Sequence, residues 1–436
     1  MFEQIRGFTR AHAPSRQRPT ERRRIALYSH DTQGLGHMRR NLSIATALIE
    51  AEPDSDILMI AGAREAGAFP FPPGVDCLTL PALGKDAEGQ YQARSLSLSL
   101  KSIIKLRRKT IRAALKTFRP DVLIVDKMPL GVFGELLPSL RWLKANGQTR
   151  LVLGLREILD APEVVHDEWH LSGYDEVAGA FYDAIWIYGD PRVYDPAREY
   201  NFSAGVTAKL RYTGYLNRTQ LAGSVDQAEP VSPAGLNLPP GRLVLCLVGG
   251  GQDGHQLAET FLQATLPPNT TGLVITGPFM APEQQQALAR LAATCPRQSV
   301  LPFVTDPERL LAQADSVVAM GGYNTVCEIL SLHKHALIVP RIKPRREQLI
   351  RAERLQALGL VEMLHPAELS PEALSSWLAA KPQPRPSTPV DLGGLSRIPL
   401  LLNETLKRSR LQIQPKTAGA RFPVLALTQQ EVRYAA

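Results

Sequence analysis

The sequence predicts an α/β protein of two doubly wound domains in tandem, facing each other across a central cleft. Three observations predict it. Short apolar runs rich in Val, Ile and Leu alternate with stretches of helical period over residues 24–216, lapse through a Pro-rich stretch at 217–240, and then resume. At 436 residues the chain is too long for one ordinary core. Glycine-rich turns follow the first strand of each half, at 34–36 and 249–251, where ligands bind in such folds. Apolar strands separated by helices imply parallel sheets covered on both faces.

Each element follows in order. Residues 1–24 carry seven arginines against two glutamates among Pro, Gln and Ser, the composition of a disordered basic leader. A strand over 24–30 runs into a turn at 31–36, and a helix begins near His37. The next strand is 57–60, followed by a basic helix over 101–119. In that helix Ile104, Ile111, Leu115 and Phe118 form the expected buried stripe, with the basic side outward. Strands at 122–126, 151–155 and 184–188 come next, and 211–216 closes the half. Pro230, Pro233, Pro239 and Pro240 mark 217–240 as the linker.

In the second half, strands are expected at 243–248, 272–276, 299–302, 316–320 and 336–340, with helices near 256–265, 283–294, 322–332 and 346–358. The Pro-rich segment 381–389 breaks this pattern before a short helix at about 397–409 and a tail. The expected organisation is thus a leader to 23, a domain at 24–216, the linker, a domain at 241–380, and a connection with tail at 381–436. No repeat of short period is visible.

Composition narrows the function. The 44% apolar content is that of a globular protein, and no apolar run approaches the roughly 20 residues that span a bilayer. The N-terminus lacks the apolar core of a signal peptide, so a cytoplasmic location is expected. Cys77, Cys246, Cys295 and Cys327 have no CxxC spacing and read as buried thiols, not as disulfides or a zinc site. The net charge of +8 is concentrated in the leader and the basic helix. That helix is either a solvated face or a surface that attracts anionic lipid, at the inner face of the plasma membrane, or a phosphorylated acceptor. Nucleic acid is not expected as a partner, because no aromatic residues interleave with the charge.

The most informative stretch is Met320-Gly321-Gly322-Tyr323-Asn324-Thr325-Val326-Cys327-Glu328-Ile329, with Arg346, Glu347 and Gln348 beyond the next strand. A strand, a glycine turn and a helix leave free backbone N–H groups at a helix N-terminus, which suits phosphate. Glu328, about two turns in, is placed to accept hydrogen bonds from a ribose diol, and Glu347 and Gln348 to reach sugar hydroxyls. In the first half, Gly34-Leu35-Gly36-His37-Met38-Arg39-Arg40 opens the first helix. A histidine there has a pKa suited to proton transfer, and arginine beside it suits phosphate. Lys127, Glu135, Arg156, Glu157, Asp160 and His166 follow strand ends on the cleft side and read as structural or peripheral residues, or else as the wall of an acceptor pocket. No Asp-x-Asp motif suggests a metal, and Asp190-Pro191 reads as a turn.

These motifs resemble the GT-B glycosyltransferases over roughly residues 24–365, with two Rossmann-like domains. The second half resembles the group containing the N-acetylglucosaminyltransferase that forms lipid II, and the chain also resembles uncharacterised bacterial predicted glycosyltransferases. The resemblance implies a nucleotide-diphosphate sugar as donor substrate, a glycan or lipid-linked acceptor, no cofactor and no metal. It places Gly249, Gly250, Gly251 and Gln252 at the diphosphate, and Gly321, Gly322, Asn324 and Thr325 at the second phosphate turn. Glu328 then holds the ribose, and Glu347 and Gln348 orient the donor sugar. Phe303 and Val304 fall near the base. His37 is the implied base, oriented by Asp126, while Gly34, Gly36 and Arg39 form a phosphate or acceptor loop.

The chain departs from the lipid II enzyme in carrying Arg341, Lys343, Arg345 and Arg346 ahead of Glu347. These cations suit either the leaving diphosphate or an acidic donor sugar. Besides an inverting transferase of cell-envelope or exopolysaccharide synthesis, the same residues fit a nucleotide-sugar hydrolase in which His37 activates water. A nucleotide-sugar 2-epimerase would need further cleft carboxylates. A non-catalytic nucleotide-sugar-binding module is the alternative outside the enzymes.

Overall fold

The computed structural model describes residues 22–31, 36–85, 90–221, 239–304, 307–381 and 389–410. Gly34, the expected leader up to residue 21, the linker from 222 to 238 and the tail from 411 lie outside these residues.

The strands are β1 (Arg23–Ser29), β2 (Ser55–Ala61), β3 (Val75–Thr79), β4 (Leu83–Lys85), β5 (Tyr91–Ala93), β6 (Val122–Asp126), β7 (Arg150–Arg156), β8 (Ala184–Tyr188), β9 (Leu210–Tyr212), β10 (Arg242–Leu247), β11 (Thr270–Ile275), β12 (Gln298–Leu301), β13 (Ser316–Ala319), β14 (His335–Ile338) and β15 (Glu362–Met363). The first half forms a parallel sheet in the order β3-β2-β1-β6-β7-β8-β9, and the second one in the order β12-β11-β10-β13-β14-β15. β4 and β5 make a separate antiparallel hairpin. The central strands are buried because both sheet faces are covered: Leu27 lies beside Met59 and Ile124, and Leu245 beside Leu273 and Val317.

Both sheets reverse their strand order next to their first strand, at β1/β6 and at β10/β13. At such a switch point the loops leave in opposite directions and open a crevice at the strands' carboxyl ends. His37 and Asp126 follow one switch point, while the 249–251 and 321–322 turns follow the other.

Packing corrects one sequence expectation, the place of Phe118, and decides between the two readings of Glu135. In the basic helix Leu100–Phe118 the buried residues are Ile103, Ile104, Arg107, Ile111 and Leu115, and Phe118 is only half-buried. Arg107 is turned inward, its Nε donating to Glu135 at 2.7 Å. Glu135 therefore serves this buried pair and Tyr28 beneath the basic helix, not the cleft. A buried arginine persists only where its charge is compensated, and period alone does not reveal such a pairing.

The C-terminal helix, Gly394–Arg410, is longer than expected and returns to the first half. Leu395, Ile398 and Leu402 are buried in the core they share with the helix Gly36–Ala51. Arg23 pairs with Glu52 and also donates to Asn403 at 2.9 Å. The chain thus crosses between the halves twice, and the crossings lie side by side. Tyr215 N donates to Asp391 O at 2.7 Å, Gly394 N to Tyr215 O at 3.0 Å, and Leu216 pairs antiparallel with Gly393. Asp190 supports this junction by accepting from Asp391 N at 2.8 Å.

Candidate active site in the cleft

A cleft of about 820 Å³ lies between the two switch points and is lined from both halves. On the first half's wall are His30, Gly36, His37, Arg39, Lys127 and Arg156. Opposite are Gly249, Gly250, Gly251, Gln252, Gly322, Asn324, Thr325, Glu328, Glu347 and Gln348. Asn324 Nδ2 donates to Gly36 O at 3.1 Å, so the two glycine turns touch across the cleft.

His37 lies in the first turn of its helix, with Nδ1 2.6 Å from Asp126 Oδ2. Asp126, at the end of β6, also accepts from Arg40 Nη2 at 2.6 and 2.8 Å. Burial pushes this carboxyl upward, but Arg40 and His37 outweigh it and hold Asp126 ionised, well below the usual carboxylate range. An ionised acceptor fixes the proton on His37 Nδ1. The 2.7 Å approach of Arg40 Nη2 to that nitrogen is then a meeting of two donors at one carboxylate. For His37 burial is the largest influence, and with Arg40 it lowers the imidazole pKa against the upward pull of Asp126. The ring is therefore neutral at pH 7, with Nε2 left as its proton acceptor.

His30, which the sequence did not single out, lies under His37 with ring centroids 4.8 Å apart. Burial and His37 keep it well below the usual imidazole range, hence uncharged.

On the opposite wall the helix Tyr323–Ser331 begins at Gly322 without a side-chain cap. Its first N–H groups are those a helix leaves unsatisfied, and Gly322, Tyr323, Asn324 and Thr325 line the cleft there. A Cβ on Gly322 would meet no protein atom within 4 Å. The other turn is built differently: Gly251 has φ +94°, and a Cβ there would lie 2.1 Å from Thr276 O. Glu328 is buried, its Oε1 makes no hydrogen bond, and Arg218 is 3.6 Å away.

Glu347 joins the two halves. Its carboxylate lies 3.2 Å from Arg156, 3.0 Å from Arg351 and 3.5 Å from Arg341. Burial raises its pKa, but Arg156, Arg351 and Arg341 bring it down to about 2. Arg351, fully buried, also holds Glu157 at 2.7 Å and donates to Gly321 O at 2.8 Å. Between the clusters stands Tyr323, its ring 5.7 Å from both the Arg40 and the Arg351 guanidinium carbons.

Comparison with known proteins accords with this geometry. Residues 244–387 match the glycosyltransferase family 28 C-terminal domain. A Bacteroides thetaiotaomicron protein named UDP-N-acetylglucosamine–N-acetylmuramyl-(pentapeptide) pyrophosphoryl-undecaprenol N-acetylglucosamine transferase is 26% identical over 70% of this chain and 75% of its own. The chain is a GT-B glycosyltransferase.

An uncharacterized glycosyltransferase of Methanosarcina acetivorans is 25% identical to this glycosyltransferase over 71% of the chain and 77% of its own. Among solved structures, a putative UDP-N-acetylglucosamine 2-epimerase from Listeria monocytogenes superposes with a TM-score of 0.58 at 12% identity, covering 92% of this chain and 100% of its own. MurG of Acinetobacter baumannii does so at 0.50 and 15%, covering 91% and 96%. These likenesses show the shared fold.

In this glycosyltransferase several expected residues are placed elsewhere. Arg345 still lines the cleft, but its Nη1 is engaged by carboxylates of the first half, 3.0 Å from Glu168 and 3.3 Å from Asp160. The side chain of Arg346 is half-exposed and nearest Glu163, at 4.0 Å, although its backbone N donates to Asp160 at 2.7 Å. His166 is exposed beside Asp167. Gly321 supports Arg351 and does not line the cleft. Arg341 is at the cleft, between Asp253 at 3.0 Å and Glu347. Arg39 bridges the rim, donating to Val304 O at 3.5 Å, close to half-exposed Phe303. Arg40 and Arg351 were missed as site residues. Their signal was spacing, since Arg40 follows His37 by three and Arg351 follows Glu347 by four on helices, where such side chains share a face.

Proposed function

We propose that this glycosyltransferase moves a sugar from a nucleotide-diphosphate donor to a hydroxyl group of a lipid-linked or polysaccharide acceptor, with inversion and without a metal. One observation carries the reading: a neutral histidine, oriented by Asp126, stands across one cleft from an uncapped helix N-terminus. His37 Nε2 takes the acceptor proton as its oxygen attacks the anomeric carbon in line, and the leaving diphosphate departs onto the Gly322–Thr325 N–H groups. Arg341, which lines the same cleft, adds positive charge. Glu328, whose Oε1 makes no hydrogen bond, accepts from the ribose, and Gln348 meets the sugar.

The acceptor class rests on the relatives' names, which specify an undecaprenol-linked substrate. No helix among the described residues is long and apolar enough to cross a membrane. Docking of the cytoplasmic enzyme at the inner membrane face is supported by exposed Lys101, Lys105, Lys109 and Arg112, with Leu106 exposed among them.

The test measures nucleoside diphosphate release from a panel of nucleotide sugars, with and without a polar-lipid extract, for wild type and His37→Ala. Release that depends on the extract and disappears in the variant is expected. Equal release in water alone, with free sugar or sugar phosphate as product, assigns the protein to the hydrolases.

A further inference from the structure

One part of the cleft is not used by the transfer chemistry. Lys127 directly follows Asp126, and Arg156 ends the neighbouring β7, so the two stand on adjacent strand ends of the first half's wall. Lys127 lines the cleft, and no carboxylate among the described residues stands within ion-pair distance of its Nζ. Arg156 gives Nη1 to Glu347 at 3.2 Å, but its Nε is buried and makes no hydrogen bond. Arg341, across Glu347, likewise has a buried Nε without a partner.

Leaving such groups unmatched is unfavourable. Burial, then Arg345 and Arg156, bring Lys127 down to about 7, so two neighbouring cations compete for charge in a poorly solvated site. Glu168 and Glu347 offset this only in part, because Glu168 is engaged by Arg345 and Glu347 is shared among Arg156, Arg351 and Arg341. A bound anion would satisfy the free donors and restore full charge to the lysine. The donor's phosphates are accommodated elsewhere, at the glycine turns of the second half. The vacant donors instead surround Glu347, at the sugar end of the cleft.

We propose that Lys127 and Arg156 form a carboxylate subsite, and that the donor is a nucleotide-activated uronic acid whose C6 carboxylate they hold. This rests on the donor-site reading given under Proposed function. The same pair would also hold an anion carried by the acceptor, so the test varies donor and acceptor separately.

Binding is measured calorimetrically without acceptor, using base-matched pairs: UDP-glucuronate against UDP-glucose, UDP-galacturonate against UDP-galactose, and GDP-mannuronate against GDP-mannose. In at least one pair wild type should bind the uronate ten times or more tightly than the neutral sugar. Lys127→Met should erase that preference while changing affinity for the bare nucleoside diphosphate less than twofold, and Lys127→Arg should retain it. Melting curves of both variants establish that they are folded.

Equal binding within every pair, unaffected by Lys127→Met, overturns the uronate assignment. If in that case Lys127→Met raises the KM of a carboxylated or phosphorylated acceptor tenfold, but not that of its neutral analogue, the subsite stands and its anion belongs to the acceptor. If neither responds, the subsite is refuted. Absence of any nucleoside diphosphate binding by wild type is a different failure, because it removes the donor-site reading itself.

Discussion

Asp126 decides the chemistry available to His37. By holding Nδ1–H it leaves one ring nitrogen to accept a proton, and by remaining ionised it keeps Arg40 compensated in the interior. Because burial lowers the imidazole pKa, the base form persists to lower pH than in an unperturbed histidine. The acid limb of a kcat/KM profile is therefore expected below about pH 6.5; a limb above that value would contradict the assignment of His37 as base. Glu347 makes a second residue-scale prediction, on stability. Its pKa is depressed, to about 2 from about 4.3 in an unfolded chain, so its contribution is present above about pH 4 and is lost as pH falls toward 2. By that shift Glu347→Gln should cost roughly 3 kcal/mol at pH 7, with the deficit shrinking between pH 4 and 2. Urea unfolding of both proteins across this range measures it, and a deficit independent of pH would refute the ionic account.

The two glycine turns do different work, which separates folding from binding. Gly322→Ala places a methyl where there is no protein, at an ordinary φ of −64°, so stability should change by only about 0.5 kcal/mol while nucleotide affinity falls tenfold or more. Gly251→Ala meets Thr276 O at a left-handed φ, and should cost about 1–3 kcal/mol. Denaturation midpoints and nucleoside diphosphate titrations of both variants check this; equal effects on both observables would mean that Gly322 faces no ligand. The same elements show what the sequence can reveal. β6 and β7 are continuous apolar runs ended by charge, and β13 leads into a glycine turn, so both switch points could be located from residue order. The short strands β9 and β15, and the hairpin β4–β5, carry too few apolar residues to establish a period. At the site, His37, Glu328 and Glu347 were legible because each follows a turn of recognisable type. The partnerships Arg107–Glu135, Arg345–Glu168 and Arg351–Glu157 were not. They pair residues 28, 177 and 194 positions apart, and many basic side chains looked equivalent until packing selected one.

At the scale of the molecule, the C-terminal helix belongs to the first half although the chain reaches it from the second. Removing residues 394–436 would uncover the apolar surface that Leu395, Ile398 and Leu402 occupy and leave Arg23 and Glu52 without Asn403. Burial of three such side chains contributes on the order of 5 kcal/mol. The truncated protein is expected to melt well below wild type, with hydrogen exchange first rising along Gly36–Ala51, the helix that bears His37. Protection lost only in the second half would contradict this packing account. The paired crossings at Tyr215–Leu216 and Asp391–Gly394 have a mechanical consequence. Two bodies joined by a single strand can twist about it as well as fold. Two strands bonded along their length act like a door hinge with two pins, which suppresses the twist and leaves one bending coordinate. Any opening and closing of the two halves would then retrace the same arc, and would return His37 and the Gly322 turn to the same register each time.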